Sequence, residues 1–396
     1  MRFLLGVVIF VLALLISIML HEAGHFVMAK KFNMKVTKFF VGFGQTIWSR
    51  MRGETEYGVK ALPLGGFVKI IGMTSMEDID PADEPRSFRR QPGWQRAIVL
   101  AAGSFMHFVL AFVLLFFLAV GIGVQNTTTI GRVTRCVPAS LKALAQADPC
   151  QGNNVPSPAS VAGIRANDKV ISIAGVNVGS WIQLGDVIRK QPAGQSIPVV
   201  VDRNGRRLTL NVTPAAVPGR HGSYLGVVDQ IFQRIGPVGA VSYAGSAFGQ
   251  VLAGSGSAIA KLPSALPYLF AKDRAKTAAG NLSSVVGAAD IAGQAVAAGG
   301  GWRYTVSTLL LIIISLNIFV GAFNLLPLLP LDGGHLAIVV FERIRAYLAR
   351  LRGRPDPGLV DIQRLIPVSV GVFALLVGLG LILIAADIFN PVHLIQ

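Results

Sequence analysis

The sequence predicts a polytopic α-helical membrane protein with four transmembrane helices, a membrane-associated β-rich segment after the first, and an inserted extracytoplasmic α/β domain. Two observations carry this. The chain is 52% hydrophobic and 14% charged, with a mean hydropathy of +0.58, whereas soluble globular chains carry about 25% charged residues. Residues 3–20, 97–124, 304–331 and 365–386 contain no Asp, Glu, Lys or Arg, and a helix needs roughly 20 apolar residues to cross the ~30 Å hydrocarbon layer.

The first span takes in residues 1–29 and carries H-E-A-G-H at residues 21–25. Arg2 before an apolar run is also how a secretory signal peptide begins. The small-residue cleavage pattern is missing, and a discarded segment has no use for H-E-A-G-H, so the run reads as a retained helix. The other spans are 97–124, 304–331 and 365–386.

Basic residues orient the spans. Twelve Lys or Arg lie between Ala29 and Ala97 and six Arg between Phe341 and Leu365, while residues 125–303 carry a lower density. The positive-inside tendency then places both short basic loops in the cytoplasm, and the long insert and both termini outside. The formal net charge of +16 needs no nucleic acid. Anionic lipid head groups beside the basic loops are sufficient partners, and no aromatic-and-basic nucleic-acid surface is discernible.

After the first span, "MKVTKFFVGFGQTIWSRMRGETEYGVKALPLGGFVKIIGM" alternates aromatic or β-branched runs with R-G-E, G-F-G and L-G-G. It predicts several short strands with tight turns. Unpaired strands cannot enter lipid, so if this segment dips toward the membrane, protein must shield it. Residues 74–96 turn polar and read as a surface connection. In the insert, "IPVVVDRNGRRLTLNV" predicts two strands about an N-G turn. With "SPASVAGIRANDKVISIAGVNV" it makes a small mixed domain at 130–213. Residues 235–300, rich in Gly, Ala and Ser, predict short helices. Cys136 and Cys150 both fall outside, where an oxidising compartment permits a bridge; two free thiols are the other reading.

The chemistry lies at two span ends. Residues four apart share a helix face, so His21 and His25 can aim at one ion while Glu22 reaches a water on it, the H-E-x-x-H arrangement of metalloproteases. A catalytic zinc typically takes three protein ligands and a water, and ionisable residues at membrane depth are rare and usually functional. The third ligand is sought in "NLLPLLPLDGGH", residues 324–335, where Pro327 and Pro330 interrupt the helical ladder and glycines permit unusual backbone paths. Asp332 and His335 are the candidates. A metal transporter would also carry intramembrane His and Asp but gains nothing from Glu22, and a non-catalytic scaffold gains nothing from either motif.

These motifs resemble those of the site-2 proteases, intramembrane zinc metalloproteases, and most closely the bacterial members with an inserted PDZ domain. H-E-A-G-H matches the family's H-E-x-x-H, and "NLLPLLPLDGG" its N-x-x-P-x-x-x-L-D-G, about 300 residues later. The likeness extends to "SPASVAGIRANDKVISIAGV" and "SSVVGAADIAG". It implies one Zn²⁺ per chain held by His21, His25 and Asp332, Glu22 as catalytic acid–base, and Asn324 helping to hold the substrate backbone. It makes 36–70, cytoplasmic by charge, a membrane-reentrant sheet; the active site belongs near that same side because His21 and His25 close the inward-running first helix. Residues 130–213 become a PDZ-like domain that binds a peptide ligand or excludes intact proteins by size. The resemblance implies a bacterial plasma membrane location and regulated intramembrane proteolysis of trimmed single-span proteins, anti-sigma factors or remnant signal peptides. One stretch departs. Where the family often carries G-P-x-x-N, residues 103–107 are "GSFMH", and His107 reads as a helix-packing or substrate-facing group.

Overall fold

The computed structural model describes the chain except residues 74–76, 125–127, 140–149, 151–154, 219–221, 230–231, 233, 272–273, 275–276, 278, 280–281, 298–301 and 392–396. Two compact units form: Met1–Phe116 with Val241–Gln396, and Phe117–Ala240.

In the first unit, α1 (Arg2–Lys31) ends with Lys30 and Lys31 in its last turn, where cations complement the helix dipole. Asn33 then takes φ 57°, a left-handed conformation that Asn tolerates after a helix end. β1 (Val36–Arg52) and β2 (Thr55–Ile70) follow as an antiparallel pair. These are two long strands where several short ones were expected, but both bend. Residues 38–41 face 66–69 on one side and 56–59 on the other, while 46–52 pair with 55–60. Gly42 and Gly44, both at φ 84°, make the bend in β1, because such angles strain a residue with a Cβ. The pair therefore works as four short segments, and residues 66–70 form one edge.

Helix α2 (Gly93–Phe117) continues as a π-helical turn to Ile122. Ala29, Met34, Val36, Ile70, Phe88, Val99, Leu100 and Val339 share one core, which joins the end of α1, the hairpin base and α2.

The second unit centres on a four-stranded sheet. It comprises β4 (Lys169–Ile173), β5 (Val176–Asn177), β6 (Ile197–Arg203) and β7 (Arg206–Val212), ordered β5-β4-β6-β7, with β3 (Ile130–Val133) pairing Val227–Asp229 beside it. Helix α3 (Trp181–Lys190) packs Leu184 and Ile188 into the core with Val170, Ile173, Val199 and Val201. The N-G turn is Asn204–Gly205 at φ 54° and 81°, and Asp202 Oδ1 accepts the Gly205 N–H at 2.8 Å. Buried Asp168 accepts two hydrogen bonds from Arg203 at 2.7 Å. Burial alone would raise its pKa, but the Arg203 guanidinium holds the carboxyl below the usual range. Cys136 and Cys150 are joined by a disulfide.

Returning to the first unit, α4 (Pro237–Ala265) is one helix of 29 residues where short ones were expected, followed by α5 (Val285–Ala297). α5 crosses α1 closely: a Cβ on Gly6 would lie 2.4 Å from the Ala292 carbonyl oxygen. The third span is shorter than its uncharged run. Helix α6 (Trp302–Asn324) stops before Pro327 and Pro330, because proline lacks the N–H the ladder needs and constrains the residue before it. The charged stretch expected as a loop begins instead as α7 (Asp332–Leu351). Its Glu342 accepts from Arg96 of α2 at 2.7 Å, both side chains being buried. α8 (Ile366–Phe389) is tied at its far end, where buried Asp387 pairs with Arg274 at 2.8 Å and accepts the Ser284 N–H at 2.6 Å.

Among the described residues four helices are long and apolar enough to cross a membrane: α1, α2 with its π turn, α6, and α8 with the turn before it. Leu12 and Ile16 on α1 and Phe373 and Leu375 on α8 are exposed, as lipid-facing side chains are. The chain is a polytopic membrane protein.

Candidate active site

Helix geometry brings the first two groups together. His21 and His25, one turn apart on α1, are both buried, and their Nε2 atoms lie 3.1 Å apart. Val99 O on α2 sits 2.7 Å from His25 Nδ1. A carbonyl only accepts, so Nδ1 carries the proton and Nε2 presents its lone pair to the site, the usual arrangement behind a metal-ligating histidine.

Two glycines let α2 come this close. A Cβ on Gly103 would stand 2.4 Å from His25 Nε2 and 2.7 Å from His21 Nε2, and one on Gly24 would meet the Ala102 carbonyl oxygen at 2.5 Å.

Asp332 arrives from α7 as its first residue. The two glycines after it do more than loosen the chain. A Cβ on Gly333 would meet Leu326 O at 2.3 Å, and one on Gly334 would meet Leu329 N at 2.6 Å. The proline-bearing loop thus folds directly onto the start of α7. Asp332 Oδ2 lies 3.2 Å from His21 Nε2 and 3.3 Å from His25 Nε2. One ligand atom from each of these residues falls within 4.8 Å of the others, and this is the candidate metal cluster among the described residues. Asp332 Oδ2 is buried and makes no hydrogen bond. Buried polar atoms rarely go unsatisfied, and a carboxylate oxygen facing two imidazole nitrogens at 3.2 and 3.3 Å suits a shared cation. The two imidazoles and a carboxylate are a donor set that zinc takes.

Glu22 stands beside the cluster without belonging to it, and its Oε2 accepts the Val68 N–H from the edge of β2 at 3.0 Å. His335, one turn beyond Asp332, lies outside the cluster. Asn324 is half-buried at the last residue of α6. An apolar cavity of about 820 Å³ between α4, α5, α6 and α8 is walled on α6 from Thr308 to Phe323, the residue before Asn324.

His107 is buried, its ring centroid 5.0 Å from that of His21. Its Nδ1 donates to Asn317 Oδ1 at 2.7 Å, because Asn317 Nδ2 is committed to the Ser17 hydroxyl at 3.1 Å and to Ile313 O at 2.8 Å. Sequence reasoning singled out neither Asn317 nor Ser17. The available signal was an amide side chain inside an uncharged span.

Sequence comparisons supply the family. The profile of peptidase family M50 matches residues 9–354. The zinc metalloprotease Rip1 of Mycobacterium tuberculosis (strain H37Rv) is 38% identical over 418 residues, covering 100% of both chains. Rip1 of Mycolicibacterium smegmatis is 36% identical over 422 residues, again covering 100% of both. A putative zinc metalloprotease of Nostoc sp., all3971, is 30% identical over 381 residues, covering 94% of this chain and 93% of that one. With a profile match over most of its length and relatives aligned from end to end, this chain belongs to peptidase family M50.

Proposed function

We propose that this zinc metalloprotease hydrolyses peptide bonds within transmembrane segments of membrane proteins already trimmed by another protease, anti-sigma factors or remnant signal peptides, in regulated intramembrane proteolysis. The observation that carries the reading is the convergence of His21 and His25, on a helix apolar enough to cross a membrane, with Asp332 from the start of α7, and with Glu22 alongside.

His21, His25 and Asp332 would hold the ion. A bound zinc supplies Lewis acidity, making water nucleophilic near neutral pH and easing charge on the scissile carbonyl oxygen. Glu22 takes the proton of the attacking water and returns it to the leaving amine, held in place by the Val68 N–H. Asn324 positions the substrate backbone.

A transmembrane helix hides its carbonyls in internal hydrogen bonds and must unwind before attack. The edge at residues 66–70, touching Glu22 through Val68, would pair with the unwound strand and hold it extended. The apolar cavity ending at Phe323 supports a substrate segment lying along α6.

Residues 130–213 act as a PDZ-like domain, a reading supported by a four-stranded sheet flanked by α3 and the helical turn Pro158–Val161. The Cys136–Cys150 disulfide favours placing this unit outside the cytoplasm of a bacterial cell, and the basic loops favour both termini outside with the active site toward the cytoplasmic side.

The test is cleavage of a single-span peptide by the purified protein in detergent, compared with Glu22→Gln. Cleavage by both proteins alike, or zinc binding with metal flux and no hydrolysis, would overturn the reading.

A further inference from the structure

The second half of α7 has an apolar stripe that the fold leaves uncovered. Val340, Ile344, Tyr347 and Leu351 follow at intervals of four, three and four residues, with Phe341 and Leu348 beside them, which is one face of an α-helix. All six are exposed, from 43% at Leu348 to 66% at Leu351. Arg343 and Arg350, seven residues apart, border one side of the stripe, and Arg345 and Arg352 border the other.

Acidic side chains are withdrawn from this surface. Of the two on α7, Asp332 points into the candidate metal cluster, and Glu342, on the face opposite the stripe, is buried against Arg96. Arg345 donates to the carbonyls of Pro357 and Gly358, at 3.4 and 2.7 Å. Arg343, Arg350 and Arg352 are exposed. A hydrophobic stripe with cations along both borders suits neither bulk water nor the hydrocarbon interior. It fits the head-group layer, with the apolar face toward the acyl chains and the guanidiniums at the phosphates.

We propose that the C-terminal half of α7 is an interfacial anchor, seated in the head-group layer of a leaflet containing anionic phospholipid. It goes beyond the protease reading and rests only on the chain being embedded in a membrane.

The experiment uses the full chain in vesicles of phosphatidylcholine alone and in an equimolar mixture with phosphatidylglycerol. The native cysteines are joined, so a nitroxide can be placed on Tyr347→Cys, with Asp356→Cys as a water-side control. In mixed vesicles the label at 347 should collide with a water-soluble nickel chelate several-fold less often than the label at 356, and more often with oxygen. Converting Arg343, Arg350 and Arg352 together to Gln should release the helix, the seating equilibrium falling about fivefold per arginine removed. Unchanged circular dichroism shows that the variants are folded.

Equal chelate access at 347 and 356 in mixed vesicles would overturn the anchor. So would equal seating in both vesicle types, or in the triple variant. Label-to-label broadening in mixed vesicles, with the same protection in lipid-free detergent, would assign the stripe to a second copy instead. None of these readouts needs cleavage, so the anchor and the protease reading fail separately.

Discussion

Val68 donates its backbone N–H to Oε2 of Glu22 over 3.0 Å, so a strand edge and the acid of the H-E-x-x-H motif are in direct contact. The contact explains why the chain places a bent hairpin directly after α1. The hairpin base packs in one core with Ala29 and Val99, and that core fixes Val68 against the helix bearing Glu22.

Glu22→Gln should retain about one zinc per chain and lose cleavage by roughly 10²–10⁴-fold, the range for removing a general base. Asp332→Ala should lose zinc as well as cleavage. Elemental analysis beside a peptide-cleavage assay separates the two. Unchanged zinc affinity in Asp332→Ala would promote His335 to third ligand.

Gly103→Ala should damage the site without touching a ligand. The added methyl would lie 2.4 Å from His25 Nε2, so zinc content and cleavage should both fall. Stability should drop by about 1–3 kcal/mol, as overpacking does. Gly371→Ala on α8, where a Cβ meets nothing within 4 Å, should leave zinc content and activity intact. Full zinc occupancy in Gly103→Ala would contradict the α1–α2 packing described above.

His107→Asn should keep the metal and at least part of the proteolysis, because His107 bonds Asn317 and lies outside the cluster. His107→Phe should be worse folded, since it leaves Asn317 Oδ1 buried without its donor, a loss of about 1–3 kcal/mol. Loss of stoichiometric zinc from folded His107→Asn would bring His107 into the metal site.

Glu54 predicts a pH dependence at the hairpin turn. Two hydrogen bonds from Arg86, at 2.7 and 2.8 Å, chiefly account for its pKa falling from 4.5 to about 2, with Lys30 adding to them. A lowered folded pKa gives stability that is complete above the unfolded value and fades as pH falls through the folded one. Proteolytic nicking at residues 52–55 should therefore increase between pH 4.5 and 2. In Glu54→Gln the turn should be open to nicking at neutral pH, with no further step over that window. An identical pH profile in both proteins would remove Glu54 from the account.

Cys136 and Cys150, joined in the structure, should resist thiol alkylation in exported protein until a reductant is added. Full labelling of unreduced, membrane-inserted protein would show the bridge does not form in the cell.

Local spacing decided some of these features and could not have decided others. Four uncharged runs and an i, i+4 histidine pair are properties of consecutive residues, so the spans and the shared face of His21 and His25 were legible in the sequence. So was the hairpin at Asn204–Gly205, because an N-G turn needs positive φ at both residues. The end of α6 was only half legible. The prolines marked an interruption, but the uncharged run continues to Leu331, and composition does not show where a ladder stops. The doubled register of β1 and β2 depends on which segments meet after Gly42 and Gly44 bend the chain. Asp332 rather than His335 enters the cluster because Gly333 and Gly334 let the proline loop close on the start of α7, and that is a matter of distance in space. The Val99 carbonyl and the Val68 N–H are backbone atoms that no side-chain motif records, and a glycine at 103 does not reveal in sequence that its missing Cβ makes room for two imidazoles. The sequence by itself determined which side chains could do the chemistry. Only the packing of α1, α2, α7 and the hairpin decided which of them meet, because burial and orientation around a site are set by residues far apart in the chain.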